Sequence, residues 1–268
     1  MRRAAGTRLR GLRLATQFLT RLPVRRLEEY SPLELSRSAL WFPAVGLGLG
    51  IVTLLPAAIP GQQPLLTAAL GVLAWAWMSG ALHLDGLADL TDALAASHRD
   101  PDRFLAVLSD PHAGTFGVVS VVLVLLLKTA ALGSLARLPL LPLLLAPHGL
   151  IVDVVAPSGA SLCAVALVPA WARLGPLLWR RWLRPLKSGQ GERFAQHPLH
   201  AGWIVAWMAA LLAASALLAP VLCAAPLVIA AWGYWLKRRV GGMSGDCLGA
   251  GIEVCETVLI IALALVSG

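Results

Sequence analysis

The sequence predicts an all-α fold: a polytopic integral membrane helix bundle of about six or seven transmembrane helices, with an N-terminal basic amphipathic interfacial helix. Three observations predict it. Hydrophobic residues make up 58% of the 268 and charged residues 13%, against roughly 45–50% and 25% in soluble domains. The apolar residues run in blocks close to the length of about 20 that crosses about 30 Å of hydrocarbon. The basic residues gather between alternate blocks, as the positive-inside rule requires. The whole chain, 1–268, reads as a single membrane-embedded domain. Its mean hydropathy of +0.75 excludes a disordered chain. The four cysteines (Cys163, Cys223, Cys247, Cys255) form no CxxC pair and no His-bracketed pattern, which argues against a disulfide framework or a Cys-based metal site.

The elements follow in order. Arginines crowd the first 38 residues, and no apolar run follows the first of them directly, unlike a signal peptide. Leu9, Leu12, Ala15, Leu19 and Leu22 recur at helical spacing with arginines between them, the pattern of a helix lying on an anionic membrane surface. Residues 1–38 are therefore expected as a basic interfacial segment. Trp41–Ile59 is the first span, and Gln62-Gln63-Pro64 parts it from Leu65–Leu84. A polar stretch, Asp85–His112, precedes Gly114–Leu135. Leu138–Ala156 reads as the fourth span, extended by Ser161–Ala170, before a second polar stretch, Arg173–His200. Gly202–Leu218 and Val221–Leu236 make a pair parted at Pro220, and Glu253–Val266 is the last span. With a cytoplasmic N-terminus, all but two of the 22 Lys and Arg fall on the cytoplasmic side, the exceptions being Arg137 and Lys128. Both acidic motifs fall on that side as well.

The first motif is His83-Leu84-Asp85-Gly86-Leu87-Ala88-Asp89-Leu90-Thr91-Asp92. At 100° per residue, Asp85, Asp89 and Asp92 share one helix face. Three carboxylates in a row repel one another, and a hard divalent cation is the simplest remedy. Mg²⁺ suits carboxylates that share it with substrate phosphates. The second motif, Gly241-Gly242-Met243-Ser244-Gly245-Asp246-Cys247-Leu248-Gly249-Ala250-Gly251-Ile252-Glu253-Val254-Cys255-Glu256, puts Asp246 and Glu253 on one face. Small residues lie between them, so a neighbouring helix or a ligand can come close. The backbone N–H groups near Gly245 suit a phosphate. A third element, Ser109-Asp110-Pro111-His112-Ala113-Gly114-Thr115-Phe116-Gly117, enters the third span. Lys128, halfway along that span, reaches an anionic group in the bundle or snorkels, with Asp153 as a candidate partner. His83 is expected to orient Asp89 or to donate to a phosphate oxygen.

In this order the three elements resemble the cobalamin synthase family (adenosylcobinamide-GDP ribazoletransferases). The family hallmark G-G-x-H-x-D-G-L-A-D-x-x-D-G corresponds to residues 80–93, with Ala81 and Ala93 in place of glycines, and the closing G-G-x-[ST]-G-D-x-L-G-A-x-x-E-x-x-E is complete from Gly241 to Glu256. Gln17-Phe18-Leu19-Thr20-Arg21-Leu22-Pro23-Val24 and Phe42-Pro43-Ala44-Val45-Gly46 are similar to the family's opening. Pro111 and His112 stand where Ser and a phosphate-binding Arg are usual. The stretch 140–235 matches loosely, so the arginine usual in the fourth span has Arg173 or another basic residue of the following loop as its substitute.

The resemblance implies a membrane-bound transferase that joins adenosylcobinamide-GDP to α-ribazole or its 5′-phosphate and releases GMP. On that reading Asp85, Asp89, Asp246 and Glu253 hold Mg²⁺, Asp92 is the first candidate base with Asp89 and His83 beside it, and Lys128, Gly245, Gly249, Asp110 and His112 bind substrate. The expected setting is the cytoplasmic membrane of a prokaryote, with lipid and small molecules as partners and no nucleic acid. A homo-oligomer, or a complex with other enzymes of the pathway, is compatible with it. Two other readings stand beside it. A CDP-alcohol phosphotransferase would show a wider Asp spacing, and a cation or proton transporter would carry carboxylates at mid-membrane.

Overall fold

The computed structural model describes residues 2–59, 63–98, 100–136, 162–187 and 199–267, and these are helical throughout their ordered elements, with no strand among them. Eleven α-helices are numbered here in chain order: α1 (Arg2–Leu19), α2 (Pro32–Ser38), α3 (Phe42–Leu54), α4 (Pro64–Ser79), α5 (Leu82–Ser97), α6 (Pro101–Val107), α7 (Thr115–Leu135), α8 (Leu167–Trp179), α9 (Ala201–Leu218), α10 (Ala225–Arg239) and α11 (Gly245–Ser267). Among the described residues six stretches are long and apolar enough to cross a bilayer: 32–58, 115–135, 162–179, 201–218, 220–239 and 245–267. The pair α4 and α5 qualifies together, as a seventh crossing broken by a bend of 86°.

Burial sorts these spans into a core and a shell. The 162–179 stretch is 89% buried, and the 201–218 stretch only 17%. So α8 is the central post, packed on α3 and α11, while α7, α9 and α10 present mostly apolar side chains outward. Trp171 and Trp179 on α8 are fully buried. Their indole N–H groups donate to Ser215 Oγ (2.9 Å) and to the Ile229 carbonyl (2.8 Å), which ties α9 and α10 to the post.

Two expectations change. Leu162–Trp179 is itself long and apolar enough to cross a bilayer, so the second polar stretch begins after Trp179 and Arg173 lies within the bundle. The last span begins at Gly245 and takes Glu253 and Glu256 inside with it. Both changes have one cause: charges that looked too costly for a span are paired with each other. α1 rests partly on protein, with Leu14, Ala15 and Leu19 buried, while Leu9 and Leu22 of the apolar stripe stay exposed. Its arginines hold the following segment, for Arg10 pairs with Glu34 at 2.9 Å and Arg13 donates to the Arg25 carbonyl at 2.7 Å. The span Leu138–Ala156, Asp153 and Arg137 lie outside the described residues.

The elbow between α4 and α5 positions the first motif. Gly80 and Ala81 both have positive φ, +64° and +56°. Glycine takes this conformation freely, whereas alanine is strained there by about 1 kcal/mol. This explains why the family hallmark carries glycine where this chain has Ala81. Beyond the elbow, Gly86 lets α5 approach α11 closely; a Cβ there would stand 2.8 Å from the Asp246 carbonyl oxygen.

Candidate active site

One end of the bundle gathers the starts of α3, α5, α7 and α11 and the segment that follows α8. A cavity of about 550 Å³ opens there. Leu14, Phe18 and Phe42 line its apolar side, and Asp85, Lys187 and Asp246 its polar side. Phe18 and Phe42 stack with their ring centroids 5.9 Å apart, fixing α1 against α3.

The α11 side of the polar wall is built locally. Ser244 caps α11, its hydroxyl accepting from the Cys247 N–H at 3.2 Å and donating to Asp246 Oδ2 at 3.2 Å. Just upstream, Met243 N–H donates to the Arg184 carbonyl (2.8 Å) and Leu186 N–H to the Met243 carbonyl (2.9 Å). This short ladder brings Lys187 beside the cap, where its ammonium lies 3.2 Å from Asp246 Oδ2. The α5 side supplies Asp85, which is exposed, and Asp89, which is half-buried. Among the described residues neither carboxylate has a hydrogen bond or salt bridge. Asp89 lies within electrostatic range of Asp85, Asp246, Lys187 and Asp92. Three carboxylates thus face one ammonium.

Asp92, the expected base, has another job. Its two oxygens accept from the Gly114 N–H (2.7 Å) and the Gly117 N–H (2.9 Å), the N-cap and N3 positions of α7. From a different helix, Asp92 satisfies the two donors that a capping box satisfies locally. The carboxylate clamps α5 onto α7.

Deeper in the bundle lies a second ionic group. Lys128 reaches Glu253 at 2.7 Å and Glu256 at 2.5 Å, and Arg173 reaches Glu256 at 2.5 Å. All four side chains are at least 96% buried. Lys128 also lies 4.4 Å over the Trp75 ring, a cation–π contact. Two cations and two anions make the group neutral. His83 closes it, its Nδ1 lying 3.4 Å from an Arg173 amino group. Because arginine only donates, Nδ1 is the acceptor and Nε2 carries the proton.

The expected site residues therefore divide. Asp85, Asp246, Gly245, Gly249 and His83 line the cavity, with Asp89 close by. Lys128 and Glu253, expected to bind substrate and metal respectively, are instead spent on each other. Asp110 and His112 hydrogen-bond each other on an exposed loop and do not line the cavity. There the backbone N–H and ring of His112 hold the Asp110 carboxyl below the usual carboxylate range. Lys187 was passed over in sequence because it stands in a run of basic residues that all read as topology determinants. Its signal is spatial, in the pairing of 184–187 with 241–244. The sequence places Arg173 in the loop after the fourth span and Glu256 near the entrance of the last one, since a charge reads as the end of a span; both lie buried inside the bundle.

Among the described residues no three His, Cys, Asp or Glu side chains converge to cage a metal. The donors present suit a different arrangement. Mg²⁺ is commonly held by one or two carboxylates, with substrate phosphate and water completing its shell, and Asp85 and Asp246 offer such a pair.

Comparison with known proteins gives one answer along the chain. Residues 11–264 match the family described as cobalamin-5-phosphate synthase. A protein of Thiobacillus denitrificans named adenosylcobinamide-GDP ribazoletransferase is 44% identical, covering 97% of this chain and 98% of its own. Relatives of the same name from Laribacter hongkongensis and Pseudomonas aeruginosa PAO1 are 45% and 37% identical, each over at least 96% of both chains. No solved structure matches.

Proposed function

This chain belongs to the cobalamin-5-phosphate synthase family, and from that premise we propose that it is a multi-pass membrane enzyme joining adenosylcobinamide-GDP to α-ribazole, or its 5′-phosphate, with release of GMP. The observation that carries the reading is the cavity wall on which Asp85, Asp246 and Lys187 meet, with Asp89 unpaired behind them. In the reaction a ribose hydroxyl attacks the phosphorus next to cobinamide. The new P–O bond forms as the bond to GMP breaks, and the hydroxyl proton leaves. Such a step asks the protein for positioning and charge neutralisation.

Asp85 and Asp246 would hold Mg²⁺, which when bound supplies charge neutralisation for the diphosphate. Asp89, half-buried and with no hydrogen-bond partner for its carboxylate among the described residues, would take the hydroxyl proton. The start of α11 offers the backbone N–H groups of Gly245 and Asp246 to phosphate oxygens. His83 sets the cavity floor, and Asp92 keeps α5 in register with α7. The apolar wall of Leu14, Phe18 and Phe42 takes the organic part of a substrate whose other end is charged. On this reading the cavity lies on the cytoplasmic side, supported by Arg180, Arg181, Arg184, Lys187 and Lys237–Arg239 at that end of the bundle.

The lipid phosphotransferase and the transporter gain no support. The relatives share one name across the whole chain, and the carboxylates deep in the bundle are neutralised by Lys128 and Arg173. The deciding assay is release of GMP from adenosylcobinamide-GDP by the purified protein in lipid nanodiscs. Release should require both α-ribazole and Mg²⁺; release without α-ribazole, or none at all, would refute the proposal.

A further inference from the structure

We propose that Lys187 is an exchange cation, which holds Asp246 until a divalent ion claims that carboxylate and then turns its ammonium to the diphosphate of the substrate. The inference rests on the transferase reading and adds a residue to it. Among the described residues, Lys187 is the only Lys or Arg that lines the cavity. Its three donors meet the Leu108 carbonyl (3.0 Å), Ser109 Oγ (3.4 Å) and Asp246 Oδ2 (3.2 Å). Two of these acceptors are neutral and belong to the loop after α6, so they tether the side chain whatever Asp246 does. Only the third bond is ionic, and it is long for a charge-assisted one.

Charge balance gives the reason for an exchange. Asp85, Asp89 and Asp246 with one ammonium carry a net −2, a field that repels a diphosphate and is balanced by one divalent cation. Once a metal ion sits on Asp246, Lys187 loses its anionic partner just as a polyanion enters the same cavity. The pair is also built to come apart. Its side chains are 34% and 26% exposed, and exposed pairs are weak, whereas Lys128 and Glu253 are each only 4% exposed.

The test has two readouts on purified protein in nanodiscs. The first is binding of Mn²⁺ alone, followed by electron paramagnetic resonance. Lys187→Gln removes the competing cation, so Mn²⁺ should bind more tightly, by roughly tenfold at low salt. The second is steady-state transfer, in which KM for adenosylcobinamide-GDP should rise by roughly 10- to 100-fold, the effect of one lost charge-assisted hydrogen bond. Lys187→Arg should keep both values within about threefold. Lys187→Ala should repeat the Gln result, and its melting temperature checks that the protein is folded. Unchanged or weaker Mn²⁺ binding in both Lys187→Gln and Lys187→Ala would overturn the exchange, and so would an unchanged KM. A wild-type protein that releases no GMP would instead sink the transferase reading itself.

Discussion

Two ionic groups stand one above the other in this bundle, and they treat the same residue types in opposite ways. In the inner group Lys128, Arg173, Glu253 and Glu256 are sealed from solvent, paired at 2.5–2.7 Å and neutral in sum. In the outer group Asp246 alone pairs with the Lys187 ammonium, at 3.2 Å on the edge of a cavity, and the Asp85 and Asp89 carboxylates have no ion pair among the described residues. A buried charge without a partner is very costly, so every charge of the inner group is paired, even though Arg173 Nε itself makes no hydrogen bond among the described residues. Carboxylates left under-neutralised within reach of solvent are poised for a ligand. The difference separates sealed from solvent-reaching acids more sharply than the sequence motifs do, because Asp246 and Glu253 belong to the same motif.

Substitutions in the inner group should break the fold first. Arg173→Met leaves Glu256 half-paired in the bundle core and should cost about 3–5 kcal/mol, read as a lower melting temperature in detergent or as loss of folded protein. The double substitution Lys128→Met with Glu253→Gln keeps the count of buried charges balanced. It should recover most of the stability that Lys128→Met alone loses; a loss equal to the sum of the two singles would show that the groups act independently. In the outer group the sign of the comparison reverses. Asp246→Asn should leave the melting temperature within about 2 °C of wild type, while kcat/KM for transfer falls at least about 100-fold, ~3 kcal/mol.

Two smaller effects sharpen the boundary between the groups. Asp92→Asn keeps one acceptor for the α7 cap and loses the other, and should destabilise by about 1–3 kcal/mol. Activity measured at saturating substrate, per folded molecule, should be kept; a loss as deep as that of Asp246→Asn would return Asp92 to the reacting centre. Ala81→Gly relieves the positive-φ strain at the elbow and should stabilise by about 1 kcal/mol, read in the same melting assay with unchanged transfer.

The helical membrane fold and the three acidic elements were legible because hydropathy blocks and Asp spacing are local properties. The seal on the inner group was not. Lys128 and Glu253 are 125 residues apart, and nothing near either one says that the other waits across the bundle. The position of Arg173 was misread for the same reason, since hydropathy scores a charge as unpaired. Asp92 looked like its neighbours Asp85 and Asp89 because all three share a helix face. Only the approach of α7 shows that Gly114 and Gly117 consume its oxygens. Lys187 emerged only once the 184–187 segment was seen beside the α11 cap.

The pairing of Arg173 with Glu256 has a consequence for how the chain is made. An arginine at the centre of a span raises the cost of handing that segment to lipid by roughly 2.5–3.5 kcal/mol. Its counter-charge is synthesised 83 residues later, on the last helix. During translation the central post must therefore linger, guarded by the insertion machinery or hydrated through its neighbours, until that helix arrives. A nascent chain stopped short of residue 245 would carry Lys128 and Arg173 without either of the carboxylates that answer them.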